Sequence, residues 1–163
     1  MTRWCGVLAA VALLAGAPAH AAPATTAVFD VEFINTSPEP TTAAETERVK
    51  HLGDQLRDAL TKSGQYALVD LAPLKGKLAG AAELHSCGSC AQGLAQEAGA
   101  GLAVVTWVQK VSNLILNINI EIEDVATGKV VKAGSVDIRG NTDESWDRGL
   151  KFLLEEHVFG DRP

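Results

Sequence analysis

Cysteine is the first shortage. The chain of 163 residues has three, too few for the two separated ligand pairs that a structural zinc site takes. Histidine is also scarce at four, and the four are scattered. There is no H-E-x-x-H, no G-x-S-x-G nucleophile elbow and no obvious triad. No G-x-G-x-x-G follows the first strand candidate and no G-x-x-x-x-G-K occurs anywhere, which removes the dinucleotide and P-loop phosphate sites. Positive charge is short as well: 14 Lys and Arg against 20 Asp and Glu make a poor surface for nucleic acid or anionic lipid. Internal repeats and coiled-coil heptads are missing, and past the first segment no apolar run is long enough to span a bilayer.

What is present begins with MTRWCGVLAAVALLAGAPAHA. Arg3, an apolar core over residues 7–14 and the small-x-small site at Ala19 and Ala21 read as a secretory signal peptide over residues 1–21. Cys5 precedes the apolar core, so it is not placed as a lipoprotein cysteine and leaves with the signal. The remaining 142 residues, 22–163, suit a single α/β domain without a transmembrane span, exported to the periplasm. In that oxidising compartment Cys87 and Cys90 are expected to form a disulfide.

Periodicity sets the order of elements. Residues 27–34, AVFDVEFI, read as a strand with Phe29, Val31 and Phe33 on one face and Asp30 and Glu32 on the other. Val49, Leu52, Leu56, Ala59 and Leu60 recur at helical spacing, with Thr41 or Thr42 as cap and Gly64 as stop. A short strand, QYALVD, follows, so the first three elements predict a right-handed β-α-β unit with parallel strands. Residues 36–42 and 73–82 read as loops, and AQGLAQEAGA as a short helix. LAVVTWVQKV reads as a central strand. LILNINIEIED alternates apolar with Asn and Glu, giving one buried and one wet face, and DVATGK turns it into a last strand. A final helix, with Asn141 as cap, buries Trp146, Leu150, Leu153 and His157. The expected fold is an α/β sandwich with a mixed five-stranded sheet in β-α-β-α-β-β-β-α order.

The chemistry-bearing motif is HSCGSC, residues 85–90. A thioredoxin-like site needs a strand before the cysteines and a proline later beside the sulfurs, but after Cys90 the sole proline is the terminal Pro163. Haem attachment needs histidine directly after the second cysteine, and Ala91 is there. The favoured reading is a structural disulfide. Its alternatives are a periplasmic thiol-redox pair and a Cu(I) site from His85, Cys87 and Cys90, since thiolates select copper. No other cofactor is expected. The carboxylate pairs Asp30/Glu32 and Glu121/Glu123 read as solvated sheet face, and Trp107 and Trp146 as core.

The strings WVQKVSNLILNINIEIEDVATGKVV, DIRGNTDESW and AVFDVEFINTSPEP, with the C-x-x-C, resemble an uncharacterised secreted or periplasmic bacterial family with a domain of unknown function. The order of elements is similar to that of the amino-terminal domain of TolB and of the curli-secretion protein CsgG. That resemblance implies a non-enzymatic envelope module that docks to another periplasmic or envelope protein. The pore role of CsgG is not implied, because no acylated cysteine or pore-forming insertion is present. For a binding surface the sequence offers Trp107, Gln109, Lys110, Asn113, Asn117, Asn119, Arg139, Asn141, Asp143 and Glu144. A competing reading gives Asn113 to the turn, and Asn141 to Glu144 to the cap of the last helix.

Overall fold

The computed structural model describes residues 22–81 and 83–160. The expected signal peptide lies outside them. One mixed sheet runs through the molecule, in the spatial order β3 (Tyr66–Leu68), β1 (Ala24–Val28), β4 (Leu102–Ser112), β5 (Ile115–Asp124), β6 (Lys129–Arg139), while β2 (Glu32–Asn35) also pairs with β4. β1 is parallel to β3 and β4, β2 is parallel to β4, and β4 to β6 form an antiparallel meander. The sheet therefore has six strands rather than the five expected, because the first strand is broken.

The break is a bulge. Thr26 lies opposite Leu102 and Glu32 opposite Trp107, so six steps along the first chain match five along the second. The extra residue re-aims everything after it. Phe29 joins Ala27 in one core cluster, whereas Val31 and Phe33 pack in the other, so the three do not share a face as the alternation predicts. Asp30 and Glu32 part as well: Asp30 accepts from Arg57 and Glu32 turns to His85.

Two helical layers cover the sheet. α1 (Ala43–Lys62) and α4 (Asp143–Leu153) lie over one face and bury Leu52, Leu56, Leu60, Trp146, Leu150 and Leu153 against the isoleucines and valines of β4 and β5. Each such side chain contributes about 1.5–3 kcal/mol. Thr42 caps α1 in a reciprocal box with Glu45, and Gly64, at φ +70°, ends it. α4 is capped by Thr142, one residue after the expected Asn141, and widens into a π-helical turn over Leu154–Val158. His157 lies on that turn, half-buried, above Gly134. The opposite face carries α2 (Lys75–Ala79), a short helix where a loop was expected, and α3 (Cys90–Glu97). Ala91 and Ala95 of α3 bring it close to Ala27, Ala103 and Val105. That layer stops short of β5 and β6, whose outer face carries half-buried Asn117, Asn119, Glu121 and Glu123 beside exposed Ala133, Ser135 and Asp137.

Candidate functional site

Three places bear on function, and the first is HSCGSC. Residues 84–86 form one 3-10 turn, Cys90 opens α3, and Cys87 and Cys90 are joined as a disulfide with Cα atoms 5.5 Å apart. His85 is fixed from β2. Glu32 Oε1 accepts the Leu84 N–H at 2.5 Å, and Glu32 Oε2 accepts the His85 N–H at 3.1 Å and lies 2.7 Å from His85 Nδ1. The His85 ring also rests on Trp107, with centroids 5.4 Å apart. Glu32 thus supplies a partner for the turn's otherwise unpaired N–H groups and orients the imidazole through the same oxygen. His85 therefore has a structural task whatever the sulfurs do. Among the described residues no group of three or more His, Cys, Asp or Glu is arranged to hold a metal ion.

The second place is the uncovered face of the meander. Gln109 on β4 lies opposite Asn117 on β5, which lies opposite Asp137 on β6; one pair along, Trp107, Asn119 and Ser135 make the same row. Asn117 Nδ2 donates to Ser135 Oγ at 2.9 Å and to Asp137 Oδ1 at 2.8 Å. Further along this face, burial and the neighbouring Glu121 push the Glu123 carboxyl up from its ordinary value. At the β4–β5 end, Val111, Leu114 and Ile115 are 50%, 72% and 42% exposed. Exposed Arg139 lies opposite Ile115. Trp107, Gln109, Asn117, Asn119 and Arg139 are thus brought onto one face.

The remaining candidates are elsewhere. Lys110, read as a surface residue, is in the interior: it and Glu45 are each 1% exposed, and its Nζ lies 2.7 Å from Glu45 Oε1. Parity accounts for this, because Lys110 shares its side of β4 with Val104 and Val108. Asn141 is drawn into the same cluster. Its Nδ2 donates to Glu45 Oε1 at 2.6 Å, and its Oδ1 accepts the Trp146 indole N–H at 3.0 Å. Burial by itself raises the Glu45 carboxyl, but bonds from Lys110, the Thr42 backbone, Asn141 and the Thr42 hydroxyl outweigh it and hold the group at about 2. Asn113 touches this cluster at its rim, Asp143 pairs with Arg48 at 2.6 Å, and Glu144 stands exposed in the first turn of α4. The ten candidates divide into a wet face, a buried clasp of Lys110 and Asn141 with Asn113 at its rim, and the exposed pair Asp143 and Glu144 on the first turn of α4.

Comparison with known proteins adds a family. A model described as "Protein of unknown function (DUF2380)", carrying the family name DUF3280, matches residues 24–158. The chain belongs to the DUF3280 family. No curated protein matches the sequence. Among solved structures, the C-terminal domain of LpoB from Salmonella enterica is 18% identical with a TM-score of 0.54, over 76% of this chain and 87% of that one. LpoB from Escherichia coli, C-terminal domain, gives 21%, 0.52, 76% and 88% for the same quantities. A lipoprotein from Neisseria meningitidis, GNA1162, gives 21%, 0.53, 81% and 91%. At these identities the likeness is one of fold. Among the described residues of the DUF3280 chain, no helix is long and apolar enough to cross a membrane.

Sequence reasoning missed Glu45 and Glu32. The Thr42-x-x-Glu45 spacing signals a capping box, but nothing local announces that the same carboxylate meets Lys110, 65 positions away. Glu32 looked like solvated sheet face because its partner, the 84–86 turn, is a tertiary neighbour.

Proposed function

We propose that this chain is a non-enzymatic accessory module of the bacterial cell envelope that works by binding another envelope protein, with the mature domain in the periplasm after signal cleavage. The observation that carries this reading is the uncovered outer face of β5 and β6. On the same side of the same sheet, α3 and the 84–86 turn seal the neighbouring strands, with His85 over Trp107, while Asn117 and Asn119 on β5 and Ser135 and Asp137 on β6 lie beyond that layer. A pleated face of amides and hydroxyls, edged by exposed Val111, Leu114 and Ile115, suits a protein partner: an apolar anchor beside polar groups that fix register. The architecture likened above to TolB and CsgG belongs to this reading, and a lipoprotein among the similar folds supports an envelope setting.

The test is recovery of a partner by the mature protein from periplasmic extract, compared across surface variants. Asn119→Arg and Ser135→Arg should leave the fold intact and abolish recovery, while Cys87→Ser with Cys90→Ser should retain it. Loss of the partner in the cysteine variant alone, or stoichiometric copper on His85, Cys87 and Cys90, would move the function to HSCGSC.

A further inference from the structure

A second surface lies at the opposite border of the sheet, where the first strand is left half-paired. β3 flanks β1 over only Ala24, Thr25 and Thr26, and that ladder closes with the Val69 N–H donated to Thr26 O at 2.9 Å. The chain beyond carries on beside β4 alone. Strand geometry shows which groups are left over, because successive residues turn their N–H and C=O to opposite edges. Thr26 faces β3, so Val28 faces the same way, past the end of β3. After the bulge, Thr36 donates its N–H to Lys110 O at 2.9 Å; Ile34 and Glu32 therefore face β4, and Phe33 and Asn35 face outward. Among the described residues no strand pairs with that outward edge.

Beside this edge lies a groove of about 760 Å³, bordered by Val28–Glu32 on one side and by the segment from Leu68 to Leu84 on the other. Its floor is apolar, with Val28, Phe29, Val31, Leu71, Leu78 and Leu84. Four carboxylates, Asp30, Glu32, Asp70 and Glu83, line it against two cations, Arg57 and Lys75. Glu32 is used by the 84–86 turn and Arg57 pairs with Asp30, which leaves Asp70 and exposed Glu83, the latter 4.0 Å from His85 Nε2, against Lys75, a border with one net negative charge. A free hydrogen-bonding edge alongside an apolar trough matches the requirements of strand addition, in which main-chain bonds hold an extended peptide and alternate side chains enter pockets.

We propose that this groove takes an extended segment of a partner protein as an added strand on the Val28–Asn35 edge, its apolar side chains alternating into the trough and its basic side chains meeting the acidic border. The proposal rests on the reading of the chain as an interaction module and assigns it a second, peptide-binding surface distinct from the β5–β6 face.

The probe is a fluorescein-labelled heptapeptide of alternating Lys and Val with blocked ends, titrated into the mature protein while backbone amide exchange is followed by NMR. The expected result is at least a tenfold slowing of exchange at the Val28 and Phe33 amides on saturation. A Glu/Val peptide of the same pattern, and a Lys/Val peptide N-methylated at alternate residues, should each bind at least tenfold more weakly. Ala79→Trp, an exposed lining position that the indole would use to fill the trough, should weaken the Lys/Val peptide by a similar factor with the unfolding midpoint unchanged. Unchanged exchange at Val28 and Phe33, or equal binding of the N-methylated peptide, overturns the proposal. Slowing confined to β5 and β6 overturns it too, while leaving the interaction-module reading standing.

Discussion

Lys110→Met puts the buried clasp to the test. Methionine matches the length of lysine and suits the apolar side of β4, so the perturbation is the loss of one charge beneath Glu45. The Glu45 carboxyl sits at about 2 where 4.5 is ordinary. At about 1.36 kcal/mol per unit, that gap is worth about 3 kcal/mol, shared among the bonds from Lys110, Thr42 and Asn141. Removing one member also strands the other as an uncompensated buried charge, a change that typically costs about 3–5 kcal/mol. We expect Lys110→Met to lower stability by about 3 kcal/mol at pH 7, read as a fall in urea midpoint at constant slope. Adding Glu45→Gln should recover about 1–2 kcal/mol, since glutamine keeps the capping acceptor without the charge. The pH dependence has a definite sign. A carboxyl bound more weakly to its proton in the folded state contributes fully above pH 4.5, and that contribution is lost as pH falls from 4.5 through about 2. In Lys110→Met this acid-side loss should shrink. A single variant that loses less than about 1 kcal/mol, or a double variant no better than the single, would refute the argument.

Three further outcomes are open to measurement. Gly134→Ala places a Cβ 2.5 Å from His157 Cγ, so it should destabilise by about 1–3 kcal/mol, and His157→Ala in the same chain should recover most of that in a thermal melt. Glu32→Ala strips the acceptor from the Leu84 and His85 N–H groups; their amide exchange should speed while the β4 and β5 amides stay protected, at a stability loss of about 1–3 kcal/mol. Cys87 and Cys90 should take up a thiol label only after reduction, and Cys87→Ser with Cys90→Ser should cost about 2 kcal/mol, the chain-entropy value for a link of sequence separation 3.

The legible part of the fold is the part governed by local periodicity. LILNINIEIED alternates strictly, and β5 has Leu116, Ile118, Ile120 and Ile122 buried with Asn and Glu opposite. The 49–60 spacing likewise maps onto the buried face of α1. Where tertiary partners decide, reading fails. AVFDVEFI alternates equally well, yet a one-residue bulge between Val28 and Glu32 shifts its phase, and nothing in the string marks where the extra residue falls. Lys75–Ala79 carries glycine at 76 and a proline shortly before it, signals of a loop, but Leu78 packs against the second core and holds a turn of helix there. Lys110 was read as surface because lysine is seldom buried, and its carboxylate partner is remote in sequence. The wet-face residues Asn117 and Asn119 were legible as a pair; that no helix covers them is a matter of where α3 ends.

The bulge has a consequence for how this chain can vary. Before it the odd-numbered Ala27 and Phe29 face the α3 layer, and after it the odd-numbered Val31 and Phe33 face the α1 and α4 layer, so the first crossing of the sheet works like two gears on one shaft, set a tooth apart. Point changes at Asp30, whose side chain is 95% exposed, leave that setting alone. A change in length there does not: it would turn Phe33 away from Trp146 and bring the Glu32 carboxylate toward the α1 side, leaving the 84–86 turn without its acceptor. Substitution should therefore be free at a position where insertion and deletion are closed, and related chains should differ in residue 30 while keeping the count between the two half-strands fixed.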